Sequence, residues 1–149
     1  MLPRRGAAVL IALGLAVLLA LALWLLLGRS SGGATDRQAA VARAAFEERT
    51  GVRVTRVAVT GGGGMVDLRL QVLDPDKAAV LHDLKYPPAI IDEKSGGVAD
   101  RPFMGHMVRN LETGVTYPML IMNRRGLVKP GGRVSVRFGS SILEHVLAQ

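Results

Sequence analysis

The chain has 149 residues, 49% of them hydrophobic and 4% aromatic, with a formal net charge of +7 and no cysteine. The length allows one ordinary domain, and the missing cysteines exclude disulfides, thiolate zinc sites, iron–sulfur clusters, cysteine nucleophiles, blue-copper centres and a lipid-modified cysteine anchor. A mean hydropathy of +0.29 beside 21% charged residues requires the apolar residues to be concentrated in one place.

That place is the amino-terminal region. Ala7 to Leu27 is 21 residues of Ala, Val, Leu and Ile with one Gly and one Trp. About 20 such residues span the hydrocarbon core of a bilayer. Arg4 and Arg5 precede the run, and only Arg29 follows it closely. The positive-inside rule therefore predicts a cytoplasmic segment at 1–6, a transmembrane signal anchor at 7–27 and a periplasmic or extracellular remainder. Trp24 fits an interfacial anchor. The rival is a cleaved signal peptide, with Gly32 and Ala34 as small residues for cleavage, but its apolar region is usually about 7–15 residues. Residues 28–34 read as a Gly/Ser linker.

Residues 35–51 read as a short amphipathic helix. Thr35 and Gln38 fit a capping box, and Val41, Ala42, Ala45 and Phe46 form a narrow apolar stripe. Gly51 is placed to end the helix in the left-handed region.

Residues 52–149 read as strands. In Val52–Thr60 the apolar parity changes between Val54 and Val57, which predicts a bulge or an edge twist. Gly61–Gly64 is a hairpin loop. It is no phosphate cradle, because a strand follows it instead of a helix. Met65–Leu73 alternates cleanly, with Val66, Leu68, Leu70 and Val72 on one face. Asp74 is a candidate N-cap, with Pro75 opening a short turn to Leu81. Ala89–Ile91 is a short strand, and Glu93–Gly97 turns it. Residues 98–115 are the least patterned. Tyr117–Asn123 is a strand, and Pro118 within it marks an edge strand or a bulge. Val134, Val136 and Phe138 alternate in the next strand, and Ile142–Leu147 forms the last. About seven strands with turn signals between them predict a mainly β fold, an immunoglobulin-like β-sandwich, with a small barrel as the alternative.

The stretches GVRVTRVAVTGGGGMVDLRLQVLDPDKAAVL, YPPAIID and VKPGGRVSVRFGSSILEHV, covering most of residues 51–147, resemble an uncharacterised bacterial group of single-span, membrane-anchored proteins. The resemblance implies an extracytoplasmic sandwich domain. It implies no activity.

Residues 35–149 hold 16 Lys+Arg and 12 Asp+Glu, a net of +4. These charges are scattered along the sequence and aromatics are few, so no nucleic-acid partner is expected. The most suggestive chemistry is the Met104-Gly105-His106-Met107 loop. Thioether and imidazole side chains suit Cu(I), so Met104, His106 and Met107 are the candidate metal ligands, with His82, His145, Met65, Met119 and Met122 as possible additions. Against this, Met is a common gap-filler in cores. Met119 and Met122 cannot share a strand face, since their spacing is odd in a period of two. His82-Asp83 and Glu144-His145 are adjacent acid–base pairs that also read as surface residues, and Glu144 and His145, as neighbours in a strand, point apart. The expectation is a non-enzymatic interaction or scaffold module of the cell envelope, joined to the membrane through residues 7–27, without a cofactor and with a protein partner. The alternative is a copper-handling protein.

Overall fold

The structure is a computed structural model that describes residues 4–83, 85–104 and 110–149; the side chains at 4–13, 15, 16, 25–35 and 104 are outside that description. The chain divides into two compact units between Val41 and Ala42.

One helix, α1, runs from Arg4 to Thr50. It passes through 28–34, where the sequence predicts a linker, so Thr35 lies inside the helix instead of capping it. A helix break leaves four N–H and four C=O groups without intrahelical partners, whereas each interior Gly costs about 1 kcal/mol. Continuity is the cheaper solution here. In the first unit, Val17, Leu18, Leu19, Leu21, Leu23 and Trp24 are all more than half exposed, Trp24 by 74%. Among the described residues no helix is long and apolar enough to cross a membrane.

The second unit is mainly β and sandwich-like. It has two antiparallel sheets of four strands each, in the orders β1-β2-β6-β5 and β4-β3-β7-β8. The strands are β1 (Val52–Thr60), β2 (Met65–Val72), β3 (Ala89–Asp92), β4 (Val98–Ala99), β5 (Pro102–Met104), β6 (Thr116–Met122), β7 (Arg133–Phe138) and β8 (Ser141–Leu147). The count is eight among the described residues. The difference from about seven comes from 98–104, a stretch without alternation that contributes to both sheets. Ile90 and Ile91 pair with β4 in one sheet, and Met122 N–H donates to Arg101 O in the other (2.8 Å).

The period of two holds where it is predicted. Val66, Leu68, Leu70 and Val72 are buried, while Met65, Asp67, Arg69 and Gln71 face outward. From the other sheet Ile90, Val134, Val136 and Phe138 are fully buried against them in one apolar core. The predicted bulge in β1 is present, as a register shift between Val54 and Arg56.

The last turns of α1 belong to this core. Phe46 is fully buried, with its ring centroid 5.5 Å from that of Phe138. Thr50 Oγ1 donates to Phe46 O (2.7 Å). Gly51 then stops the helix at φ 65, and its N–H donates to Glu47 O (2.8 Å). A Cβ there would lie 2.4 Å from Asp74 O, so both the backbone angle and the space require glycine. Asp74 caps the next turn, α2 (Pro75–Ala78), by accepting from the Asp76 and Lys77 N–H groups.

Pro118 has another explanation than an edge position. β6 lies between β2 and β5. Met122 N–H points to the β5 side, and N–H groups two residues apart point the same way. The Pro118 nitrogen therefore faces that side too, beyond the reach of β5, which pairs only as far as Leu120.

The carboxyl-terminal residues join the layers. Ala148 exchanges hydrogen bonds with Gly131 and Gly132, and Gln149 with Val57 and Val59 of β1 (2.7–2.9 Å).

Candidate functional site

The end of the sandwich opposite Gly51 is built from three loops. The β1–β2 loop runs over Gly61–Gly64, with Gly61, Gly62 and Gly63 at positive φ. The β3–β4 turn is fixed by Asp92, whose Oδ2 accepts from Ser95 N–H (2.9 Å) and Ser95 Oγ (2.6 Å). The β6–β7 connection begins with a 3-10 turn, Arg124–Gly126, in which Arg125 has φ 57. A non-glycine residue at positive φ is strained and is held there by its surroundings.

Asn123 ties these loops together. It is 2% exposed. Its Nδ2 donates to Gly63 O and Val128 O, and its Oδ1 accepts from Val128 N–H, all at 2.8 Å. Its own N–H donates to Gly64 O (2.9 Å). Leu127 packs against the β3–β4 turn so closely that a Cβ on Gly97 would lie 2.4 Å from its Cδ1.

Two open clefts meet at Leu127. One carries Arg101, Arg124 and Arg125 over a floor that includes Val98 and Met122. The other carries Lys94, Lys129 and Arg133 beside Pro130. All six cations are exposed, and none is in an ion pair with a described residue. The acids at these clefts are Asp92 and Asp100, and the first already accepts from Ser95. No lining residue is aromatic. Six of the 16 basic residues of 35–149 are thus brought to one end by the fold.

A polar cluster sits beside this end on the outer face of the β4-β3-β7-β8 sheet. Glu93 Oε1 accepts from His145 N–H (2.6 Å) and Ser135 Oγ (2.9 Å), and Oε2 lies 2.9 Å from His145 Nδ1. Partial burial works to raise the Glu93 pKa. The His145 N–H and ring, the Ser135 hydroxyl and the attraction of the ring charge outweigh it, and the carboxyl is held below its ordinary value. His145 sits at φ 60 in a bulge of β8, where Val134 pairs with Val146 but Val136 pairs with Leu143. The strand expected over Ile142–Leu147 is present as β8, with this bulge inside it. Ser135 donates to the carboxylate and not to the imidazole, so the cluster lacks the base–nucleophile contact of acyl-transfer sites.

The residues singled out for metal binding are placed as follows. Met104 ends β5 opposite Leu120, and its side chain lies outside the described residues, as do His106 and Met107. Met65 and Met122 are cross-strand neighbours on the outer face, whereas Met119 is in the core opposite Leu68. The two faces of β6 separate Met119 from Met122, as their spacing requires. His82 ends a 3-10 turn, and His145 is engaged with Glu93. Among the described residues no group of three His, Cys, Asp or Glu could hold a metal ion. Glu144 is exposed and is not the partner of His145.

Comparison of the chain with protein-family models, with curated proteins and with solved structures finds no match.

Proposed function

We propose that the chain is a membrane-tethered, non-enzymatic interaction module of the cell envelope. Its sandwich, of immunoglobulin-like proportions, is held outside the cytoplasm by a span at 7–27. The observation that carries this reading is the loop end: six cations with no ion pair to a described residue line two clefts, and buried hydrogen bonds of Asn123 fix the connection that bears Arg124, Arg125 and Lys129. Binding residues concentrate on loops positioned by a rigid scaffold. The uncharged run Ala7–Leu27 and the exposed apolar side chains from Val17 to Trp24 support the span, because an apolar surface of that extent needs a cover. The resemblance to single-span envelope proteins points the same way.

The absence of native cysteine makes the test direct. Lys129→Cys at the loop end is treated with a membrane-impermeant maleimide in intact cells, then with a cysteine-directed crosslinker. The expected result is labelling without lysis and a discrete crosslinked adduct. Labelling only after lysis, or no adduct, overturns the proposal.

A further inference from the structure

We infer that the two clefts meeting at Leu127 receive an extended acidic segment of a partner protein, one in which carboxylates alternate with apolar side chains. The inference rests on the reading of the chain as an interaction module and names its partner's chemistry.

Charge comes first. Arg101, Arg124 and Arg125 surround one cleft, and Lys94, Lys129 and Arg133 the other. None spends its charge on a described carboxylate. Of the nearby acids, Asp92 is occupied by Ser95 and Glu93 by His145 and Ser135, which leaves Asp100 as the one opposing carboxylate beside three arginines in its cleft. Four of the six cations are arginines, whose planar fork matches a carboxylate with two parallel hydrogen bonds.

Shape and floor select among anions. The cations line concave clefts, which a flat bilayer surface does not enter. Between them lie Leu127, Met122, Pro130 and Val98, the last 46% exposed. A bare phosphate polymer gains nothing from such a floor. Single-stranded nucleic acid gains most from aromatic stacking, and no aromatic lines either cleft. A peptide with alternating acidic and apolar side chains satisfies both the charge and the floor. Lys94 sits on the turn fixed by Asp92, Arg124, Arg125 and Lys129 on the connection fixed by Asn123, and Arg133 at the start of β7, so little backbone ordering is left to binding there.

The test uses the full chain in nanodiscs of zwitterionic lipid and a fluorescein-labelled peptide of Glu-Leu-Glu-Ser repeats, read by anisotropy. Saturable binding that weakens with salt is expected. The double variants Arg101→Glu with Arg124→Glu, and Lys94→Glu with Lys129→Glu, should each weaken it about tenfold or more. An unchanged thermal melt shows that the variants remain folded, and Arg101→Gln with Arg124→Gln replaces any reversal that does not. Equal affinity for wild type and variants overturns the inference. So does tighter binding of polyphosphate, an oligonucleotide or phosphatidylglycerol vesicles than of the peptide. Crosslinking separates the two readings. An adduct from Ser95→Cys that persists in the Arg101→Glu, Arg124→Glu variant leaves the module standing and removes this site. No adduct from wild-type clefts removes the module.

Discussion

At the scale of the residue, Asn123 and Glu93 each hold several groups through one side chain. Asn123 satisfies two carbonyls and one N–H in the loop end, the two groups of Val128 buried and Gly63 O partly so. A buried group left without its partner costs about 1–3 kcal/mol. Asn123→Ala should therefore lower stability by about 3 kcal/mol, measured by urea unfolding. Asn123→Asp should recover only the bond from Val128 N–H, because it removes both donors. Glu93 makes a pH-dependent contribution. Its folded pKa is below the ordinary 4.5, so the stabilisation is complete above the unfolded value. It is lost as pH falls from 4.5 through the lower folded value. The stability difference between wild type and Glu93→Gln should shrink over that window, and a difference that is flat with pH would show that the carboxylate is not held by its partners. These two residues also show what a sequence conceals. Glu93 and His145 are 52 positions apart, and the sequence offers Glu144 as the obvious neighbour. The positive φ of His145 is not announced by its residue type, since only a few per cent of non-glycine residues adopt it even though histidine is enriched among them.

At the scale of the element, α1 illustrates how one side chain attaches a helix to a sheet core. Phe46 is the only large apolar residue in the stripe predicted for 35–51 that is fully buried, and Phe138 meets it. Phe46→Ala should cost about 3–5 kcal/mol, and near-ultraviolet circular dichroism should report the altered aromatic environment of Phe138. Elements with strong local signals are legible in the sequence. The alternation of β2, the parity change in β1, the Asp74–Pro75 cap and the helix stop at Gly51 all have local causes. Elements set by long-range pairing are not. Val98–Met104 has no period because it serves two sheets. Thr35 carries a sound capping signal, yet it lies within α1. The loop end is similar: Lys94, Arg101, Arg124, Arg125, Lys129 and Arg133 are spread over the chain from 94 to 133 and read as scattered charge until topology gathers them.

At the scale of the second unit, the carboxyl-terminal residues act as a seam between sheets. Ala148 is fully buried and bonds to Gly131 and Gly132, while Gln149 bonds to β1 at Val57 and Val59. Removing 148 and 149 should cost about 2–4 kcal/mol, since four backbone hydrogen bonds and a buried methyl are lost. Hydrogen exchange at the Val59 amide should accelerate in the shortened chain while Leu68, on the inner strand β2 of the same sheet, stays protected. Equal acceleration at both would mean that the seam supports the whole unit and not one edge. The strand order also carries a consequence for biosynthesis. Every strand of β1-β2-β6-β5 has been made by Met122, whereas β3 and β4 must wait for β7, which starts at Arg133. Chains emerge amino terminus first. A nascent chain ending between these points can assemble one complete layer whose inner side, with Val66, Leu68, Leu70 and Ile121, has no opposing layer to cover it. That interval, more than the finished protein, is when the chain presents the greatest adhesive risk to its neighbours.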